Sequence, residues 1–148
     1  MSFSEKDGTI KVTPPGRAEI EIQGHKDAAI DYGDASNSVA GAKGVVFHAE
    51  GANKPSFTFS LVDGLEAARL RAACIDGATG KKLTSIKVSW ALRRDGKSLS
   101  YRMEGCMLAE GGDVKASDGD GLAGNKAIKF LVKKVKQSIN GAAFTRIA

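Results

Sequence analysis

The clearest pattern in the chain is an alternation of apolar and polar residues on both sides of Asp95-Gly96, over residues 84–104. The apolar positions are Ile86, Val88, Trp90 and Leu92 before this dipeptide and Leu99, Tyr101 and Met103 after it. Asp-Gly is a strong signal for a two-residue hairpin turn. Folding the chain there sets Trp90 opposite Tyr101 and Lys87 opposite Glu104. The pattern therefore predicts a long antiparallel hairpin with one apolar face and one polar face.

The polar face of this hairpin is the first candidate functional surface. Its members are Lys87, Ser89, Ser98, Ser100, Arg102 and Glu104. We expect this face to contact water and the opposite face to pack into the core. A register slip of one residue would exchange the two faces, so the pairing is strongly specified.

Similar alternation predicts further strands, and one segment reads as a helix. Asp63 is a suitable N-cap, and Glu66 follows it three residues later, which predicts a helix from Gly64 to about Ile75. With 18 glycines and only 3 prolines, the composition also favours strands separated by turns. We therefore predict a mainly β, antiparallel fold with one helix. The other predicted strands are residues 17–23, 44–50, 56–62 and 126–135, with a short edge strand at 142–147.

The length of 148 residues fits one domain with a sizeable core. Residues 1–16 are polar and end in Pro14-Pro15-Gly16, which predicts an N-terminal arm. Residues 17–148 then form the single domain. Within it, residues 24–44 predict a long polar loop, a feature that is uncommon unless it is functional or ordered by a partner.

The net charge of the chain suggests a class of partner. The formal net charge is +5, and nucleic acid is the first partner that such a balance suggests. However, the basic residues are scattered in pairs, with acidic residues between them.

The chain opens without an apolar signal segment and contains no membrane-length apolar run, so we expect synthesis in the cytoplasm. Cys74 and Cys106 are then expected to be reduced, and a disulfide between them is left open.

No set of residues with catalytic or metal-binding spacing can be assembled. His25 and His48 are the only histidines, and neither has a nucleophile or an orienting carboxylate at a recognisable spacing. The Asp118-Gly119-Asp120-Gly121 segment lacks the later oxygen ligands of a calcium loop. The glycines of residues 77–82 follow the predicted helix, whereas a phosphate loop would precede one. We therefore expect no enzymatic activity, no catalytic residues, no metal and no cofactor.

The order of elements resembles the phage tail tube protein family over about residues 51–135. The resemblance rests on residues 54–61 leading directly into the helix, on the long hairpin, and on residues 101–108 preceding Gly111-Gly112-Asp113. It implies a β-sandwich or rolled sheet that joins its neighbours into a ring-shaped barrel. It implies a structural subunit that self-assembles into stacked, commonly hexameric rings, which form a conduit for DNA delivery. The family offers no catalytic residues.

The resemblance also implies partners and a location. The polar face of the hairpin would line the lumen, and DNA would pass through without specific binding. Other partners would be tail proteins such as sheath, baseplate or terminator, with no membrane, and the protein would reside in a virion tail after synthesis in the host cytoplasm. From their opposite charge, we expect inter-subunit contacts between basic residues of the arm region and acidic residues of the long loop. These residues are Lys6, Lys11, Arg17, Asp27, Asp31 and Asp34.

Two other functions remain open from the sequence. One is a basic nucleic-acid-binding β-barrel domain. The other is a related tail terminator or a type VI-like tube component. If DNA passes through the lumen, the basic excess is expected at subunit interfaces and on the outer wall, because a conduit should not grip its cargo.

Overall fold

The structure, a computed structural model, describes residues 8–32, 38–41, 44–47, 55–117, 121–124, 126–140 and 142–147. As predicted, the fold is mainly β, with one helix in the described part of the chain. The helix is α1 (Gly64–Ala73). The strands are β1 (Gly8–Thr13), β2 (Ile20–Ile22), β3 (His25–Asp31), β4 (Ser38–Gly41), β5 (Gly44–Phe47), β6 (Ser56–Leu61), β7 (Ile86–Arg94), β8 (Lys97–Glu110), β9 (Val114–Ser117), β10 (Gly121–Gly124), β11 (Ile128–Leu131), β12 (Lys134–Ile139) and β13 (Ala142–Ile147).

Nine of these strands form one antiparallel sheet, which is not closed into a barrel. The main path runs β2-β1-β7-β8-β11-β6-β3, and β12 pairs with both β8 and β13. Strands β9 and β10 form a separate hairpin, and so do β4 and β5. We call the part that contains β2, β1, β7, the first half of β8, β12 and β13 sheet A. Sheet B contains the second half of β8, β11, β6 and β3.

The long strand β8 passes from sheet A to sheet B through a bulge at Gly105. Ile86 pairs with Cys106 and Val88 pairs with Met103, so Glu104 and Gly105 together lie opposite the single residue Lys87. Gly105 has a φ of 66°, a value that glycine adopts without steric cost. The neighbouring chain bends at the same corner, because β11 ends at Leu131 and β12 begins at Lys134. The predicted strand over residues 126–135 is therefore two strands.

The hydrophobic core lies between the inner faces of the two sheets. Phe57, Phe59 and Phe130 of sheet B are fully buried, as are Ile10 and Met103 of sheet A. Helix α1 adds Ala67 and Leu70 to the same cluster. It begins where predicted, and the Asp63 carboxylate accepts a hydrogen bond from the Leu65 N–H at 3.0 Å. The predicted N-cap is thus confirmed.

The predicted register of the hairpin is confirmed for its apolar face. Trp90 lies opposite Tyr101, and the two adjacent apolar pairs also form as predicted. The predicted pairing of Lys87 with Glu104 is modified by the bulge, because Lys87 lies opposite both Glu104 and Gly105. On its other side, Glu104 is paired in register with Lys134 on β12.

Two segments predicted to be irregular contain strands. Residues 8–13 of the predicted arm form β1, which lies between β2 and β7, and Ile10 and Val12 are fully buried. Two inward apolar residues were too weak a signal in the sequence, but pairing on both sides stabilises the strand. The predicted loop contains β4 and, at residues 25–31, β3, whose alternation is broken at Asp27, with a φ of 56°. Residues 1–7 and 33–37 lie outside the described residues.

Candidate functional site

The outer face of sheet A carries the predicted polar surface and extends it over three more strands. Four of its residues lie in one row across the sheet, since Lys11 pairs with Ser89, Ser89 with Arg102, and Arg102 with Lys136. On the side of β1 away from β7, Lys11 pairs with Glu21 of β2, which extends the row to a fifth residue. All six residues predicted for the polar hairpin face are exposed or half-buried, on the side opposite the core. A role in lining a lumen stays a prediction.

Basic residues outnumber acidic ones on this face. Its basic members are Lys11, Lys87, Arg93, Arg102, Lys134 and Lys136. The acidic members are Glu21 and Glu104, with Glu19 beside them. Two expectations from the sequence therefore conflict. The polar hairpin face was expected to line the lumen, and the basic excess was expected at subunit interfaces and on the outer wall, but this face is itself basic.

Glu104 is an acidic residue among the basic residues of this face. Its Oε1 is 3.3 Å from Nζ of Lys136. This hydrogen bond, more than the attraction of Lys136, Lys134 and Lys87, holds the pKa of Glu104 below its ordinary value. We call Lys87, Arg102, Lys134 and Lys136 the basic cluster. Four cations surround one carboxylate, so the cluster retains a net positive charge.

A shallow furrow runs along β7 beside the basic cluster. Its floor is formed by the small residues Ser89 and Ala91, and longer side chains rise on both sides. One of its two depressions has a volume of about 390 Å³. The lining of that depression includes Lys11, Thr13, Glu19, Lys87, Arg102 and Glu104. The furrow is open to solvent along its length, which suits an extended ligand better than a small enclosed one.

The residues predicted to make inter-subunit contacts lie in different places. Lys11 lies on the outer face of sheet A, whereas Asp27 and Asp31 are exposed on the edge strand β3. Lys6 and Asp34 lie outside the described residues. The predicted contacts between subunits stay a prediction.

Arg17 has a role within the subunit that the sequence did not reveal. Its guanidinium donates to the main-chain oxygens of Ala72, Ala73 and Ile75, at 3.2, 2.7 and 3.2 Å. These oxygens lie at the C-terminal end of α1, where a cation is favoured and carbonyls lack helical partners. The contact spans more than 50 residues of sequence, so no local pattern could have indicated it.

Glu66 makes the corresponding contact near the start of α1. Its carboxylate accepts hydrogen bonds from the N–H groups of Gln23 and Gly24, at 3.0 and 3.3 Å. It was predicted to belong to a capping box on its own helix, but it holds the turn between β2 and β3 instead. The hydrogen bonds of Arg17 and Glu66 therefore hold residues 17–24 against the two ends of α1.

The edges of the sheet differ in how they are protected. Strand β3 carries the bulge at Asp27 and the charged residues Lys26 and Asp31, features that hinder pairing with another strand. Strand β13 has six residues, and β12 is its only partner among the described strands. On the opposite edge of sheet A, the three residues of β2 cover only half of β1. Among the described strands, sheet A therefore has two edges whose backbone is at least partly unpaired.

The described residues offer little for catalysis or metal binding. Cys74 and Cys106 are buried and unpaired with each other, and burial raises the pKa of their thiols to about 11 and about 12. No group of three or more His, Cys, Asp or Glu side chains that could hold a metal lies in the described ranges. His25 lies on β3, whereas His48 and most of the aspartate-rich segment 118–121 lie outside the described residues. No helix in the described part is long and apolar enough to cross a membrane.

Three solved structures are similar to this chain in overall arrangement. The first is a mutant form of the Hcp1 protein from E. coli EAEC 042, with 9% identity, a TM-score of 0.49, and coverage of 95% of this chain and 98% of the other. The second, described as Hcp protein, has 12% identity, a TM-score of 0.48, and coverage of 95% and 98%. The third, Hcp1 from Salmonella typhimurium, has 16% identity, a TM-score of 0.44, and coverage of 94% and 92%.

No protein-family model matches the chain, and no curated protein sequence matches it.

Proposed function

We propose that this protein is a structural, self-assembling subunit whose copies join edge to edge into rings, and that the rings stack into a tube of the phage tail kind. The observation that carries this proposal is the pair of unprotected edges on sheet A. Unpaired strand edges favour association, and closure into a ring removes them. The edge strand β3 is bulged and charged, and both features hinder pairing with another strand. We therefore expect association through the edges of sheet A.

The two-sided character of sheet A supports the same function. Its inner face packs against sheet B, whereas its outer face is polar over five strands. In a ring of joined sheets, a polar face can line an aqueous channel. We propose that the outer face lines this channel, that the rings are hexameric, and that the tube conducts DNA.

The remaining parts of the proposal follow from the resemblance to tail tubes. The subunit would be made in the host cytoplasm and would reside in the virion tail, in contact with sheath, baseplate or terminator proteins. It would have no enzymatic activity. Inter-subunit contacts of Lys6 with Asp27, Asp31 or Asp34 belong to this proposal as well. Lys11 and Arg17 are placed elsewhere, since Lys11 lies on the face that would line the channel and Arg17 binds the end of α1 in its own subunit.

Proline substitution in β13 tests the edge contact. Neighbouring residues of a strand point their N–H groups in opposite directions, so one of Phe144→Pro and Thr145→Pro removes an outward N–H and the other removes a bond to β12. The outward one is expected to keep its melting temperature and lose assembly. Phe144→Leu and Thr145→Val retain the N–H and serve as controls. Sedimentation velocity and thermal unfolding are measured for all four variants.

The discriminating variant is the proline variant that retains wild-type thermal stability. If it also assembles like the wild-type protein, β13 is not an assembly edge.

A further inference from the structure

The basic cluster on sheet A places like charges side by side. Arg102 and Lys136 are directly opposite each other on β8 and β12, and Lys134 is the next outward residue along β12. Like charges in this position destabilise a sheet. Glu104 is the carboxylate hydrogen-bonded to Lys136 there, and with Glu19 and Glu21 nearby the six cations of this face exceed its carboxylates by three. The repulsion between Arg102 and Lys136 would be relieved by an external anion.

The spacing of the cluster suits an anion with several charges. Adjacent strands lie about 4.8 Å apart, so the cluster extends about 10 Å from β7 across β8 to β12. Hydroxyl donors adjoin the cations: Ser89 on β7 is paired with Arg102, and the opposed pair Ser100 and Ser138 forms the next row beyond Arg102 and Lys136. Lysine, arginine and serine side chains are the usual donors to phosphate oxygens of nucleic acids.

The same face lacks the groups that other ligands would need. Its described residues on β1, β7, β8 and β12 include no aromatic side chain, so bases have no stacking platform. Ala91 is the only apolar side chain among the outward residues of β7, so nothing there inserts into a lipid layer.

We propose that the basic cluster and the adjoining furrow bind the phosphodiester backbone of nucleic acid without sequence preference. The small floor residues Ser89 and Ala91 allow the backbone to approach the sheet closely. Binding would be electrostatic and therefore sensitive to salt. In the proposed tube this face would line the channel, so the site would bind the DNA that passes through, contrary to the expectation from the sequence that a conduit does not grip its cargo. The site exists on each subunit whether or not the copies assemble.

The test is a binding titration of a labelled oligonucleotide of mixed sequence, followed by fluorescence anisotropy, at salt concentrations between about 50 and 200 mM. The variant is Arg102→Ser combined with Lys136→Ser. Each lost phosphate contact lowers the salt dependence, so the slope of log K against log salt should fall by about 1.4 for a single strand. At low salt, the affinity should fall about tenfold or more.

Lys26→Ser combined with Lys81→Ser is the matched control, because it removes the same charge from exposed positions away from this face. It should bind like the wild-type protein. Equal losses in the two double variants would overturn the site, and so would unchanged binding in the sheet A variant. Binding of poly-glutamate in place of the oligonucleotide would instead identify an acidic protein as the partner and contradict the proposal.

Electron microscopy of the same samples separates this result from the proposed function. Rings without nucleic-acid affinity would refute the site and leave assembly intact. Affinity without rings would refute assembly and leave the site intact.

Discussion

The indole of Trp90 stacks on the phenol ring of Tyr101 across the β7–β8 pair, with ring centroids 5.5 Å apart and an interplanar angle of 18°. Trp90 also contacts Phe57 of sheet B, at a centroid distance of 5.4 Å. One side chain therefore connects the hairpin to the opposite sheet. Its indole N–H is buried and has no hydrogen-bond partner among the described residues.

Replacing Trp90 tests this connection. Trp90→Ala should lower the free energy of unfolding by about 2–4 kcal/mol, somewhat below the range for a fully buried aromatic residue, because the ring is half-buried. Trp90→Phe should cost much less, since it keeps a stacking ring and removes the unsatisfied N–H. Ser100→Ala on the outer face is the control and should stay within about 0.5 kcal/mol of the wild-type protein. Urea unfolding measures all three, and an equal loss for alanine and phenylalanine would refute the stacking argument.

Gly105 should be the least replaceable glycine of the hairpin. A Cβ added there would lie 2.9 Å from Cβ of Lys133, and the backbone φ of 66° would be strained as well. Gly105→Ala should therefore destabilise the protein by about 2–3 kcal/mol. Gly96→Ala supplies the comparison, because Gly96 has a φ of 77° but no neighbour within 4 Å. It should cost about 1 kcal/mol, from the backbone alone.

Thermal unfolding of these two glycine variants, each against the wild-type protein, measures the difference. If Gly105→Ala costs no more than Gly96→Ala, the close approach of the two chains at the corner is not a constraint.

Arg17 should stabilise the C-terminal end of α1. Arg17→Ala should lower the free energy of unfolding by about 1 kcal/mol, because the contact to three carbonyl oxygens is charge-assisted but exposed. Arg17→Lys should recover only part of this loss, since an ammonium lacks the planar fork of the guanidinium. Chemical denaturation followed by circular dichroism provides the values. Full recovery by lysine would show that charge alone matters there.

The buried thiols should make stability depend on pH in the alkaline range. Burial raises the folded-state pKa of Cys74 to about 11 and that of Cys106 to about 12, above their ordinary value of 9.0. The unfolded chain therefore loses these protons first, so stability is constant below about pH 9 and falls as pH rises above it. At about pH 10, each thiol should reduce stability by about 1 kcal/mol.

Urea unfolding at about pH 8 and about pH 10 measures this effect. Cys74→Ala combined with Cys106→Ala should show a smaller decrease between the two pH values, because lysine and tyrosine titration is common to both proteins. Equal decreases would mean that the thiols are not shielded. Alkylation of the native wild-type protein should accordingly be slow and should become rapid on unfolding.

The fold could be predicted best where the apolar and polar residues of a segment follow one uninterrupted pattern. The hairpin and α1 depend on local patterns, so their register and N-cap could be predicted. The bulge at Gly105 could not, because it depends on the corner formed with Lys133. Similarly, β1 contains only two inward apolar residues, Ile10 and Val12, and one of its two neighbouring strands, β7, is distant in sequence.

The candidate surfaces were predictable only in part. The hairpin supplied one polar face, but the basic residues Lys134 and Lys136 join it through pairing of β12 with β8, over a separation of about 30 residues. No local pattern indicates such a neighbour. For the same reason, the like-charge pair of Arg102 and Lys136 became visible only in the folded sheet.

Imaging of the purified full-length protein by negative-stain electron microscopy tests the central claim, that copies join through the edges of sheet A, most directly. We expect closed rings at low concentration and stacked tubes at higher concentration. The rings should be absent in the β13 proline variant that retains wild-type thermal stability. A protein that remains monomeric at all concentrations, by microscopy and by sedimentation, would contradict the proposed function.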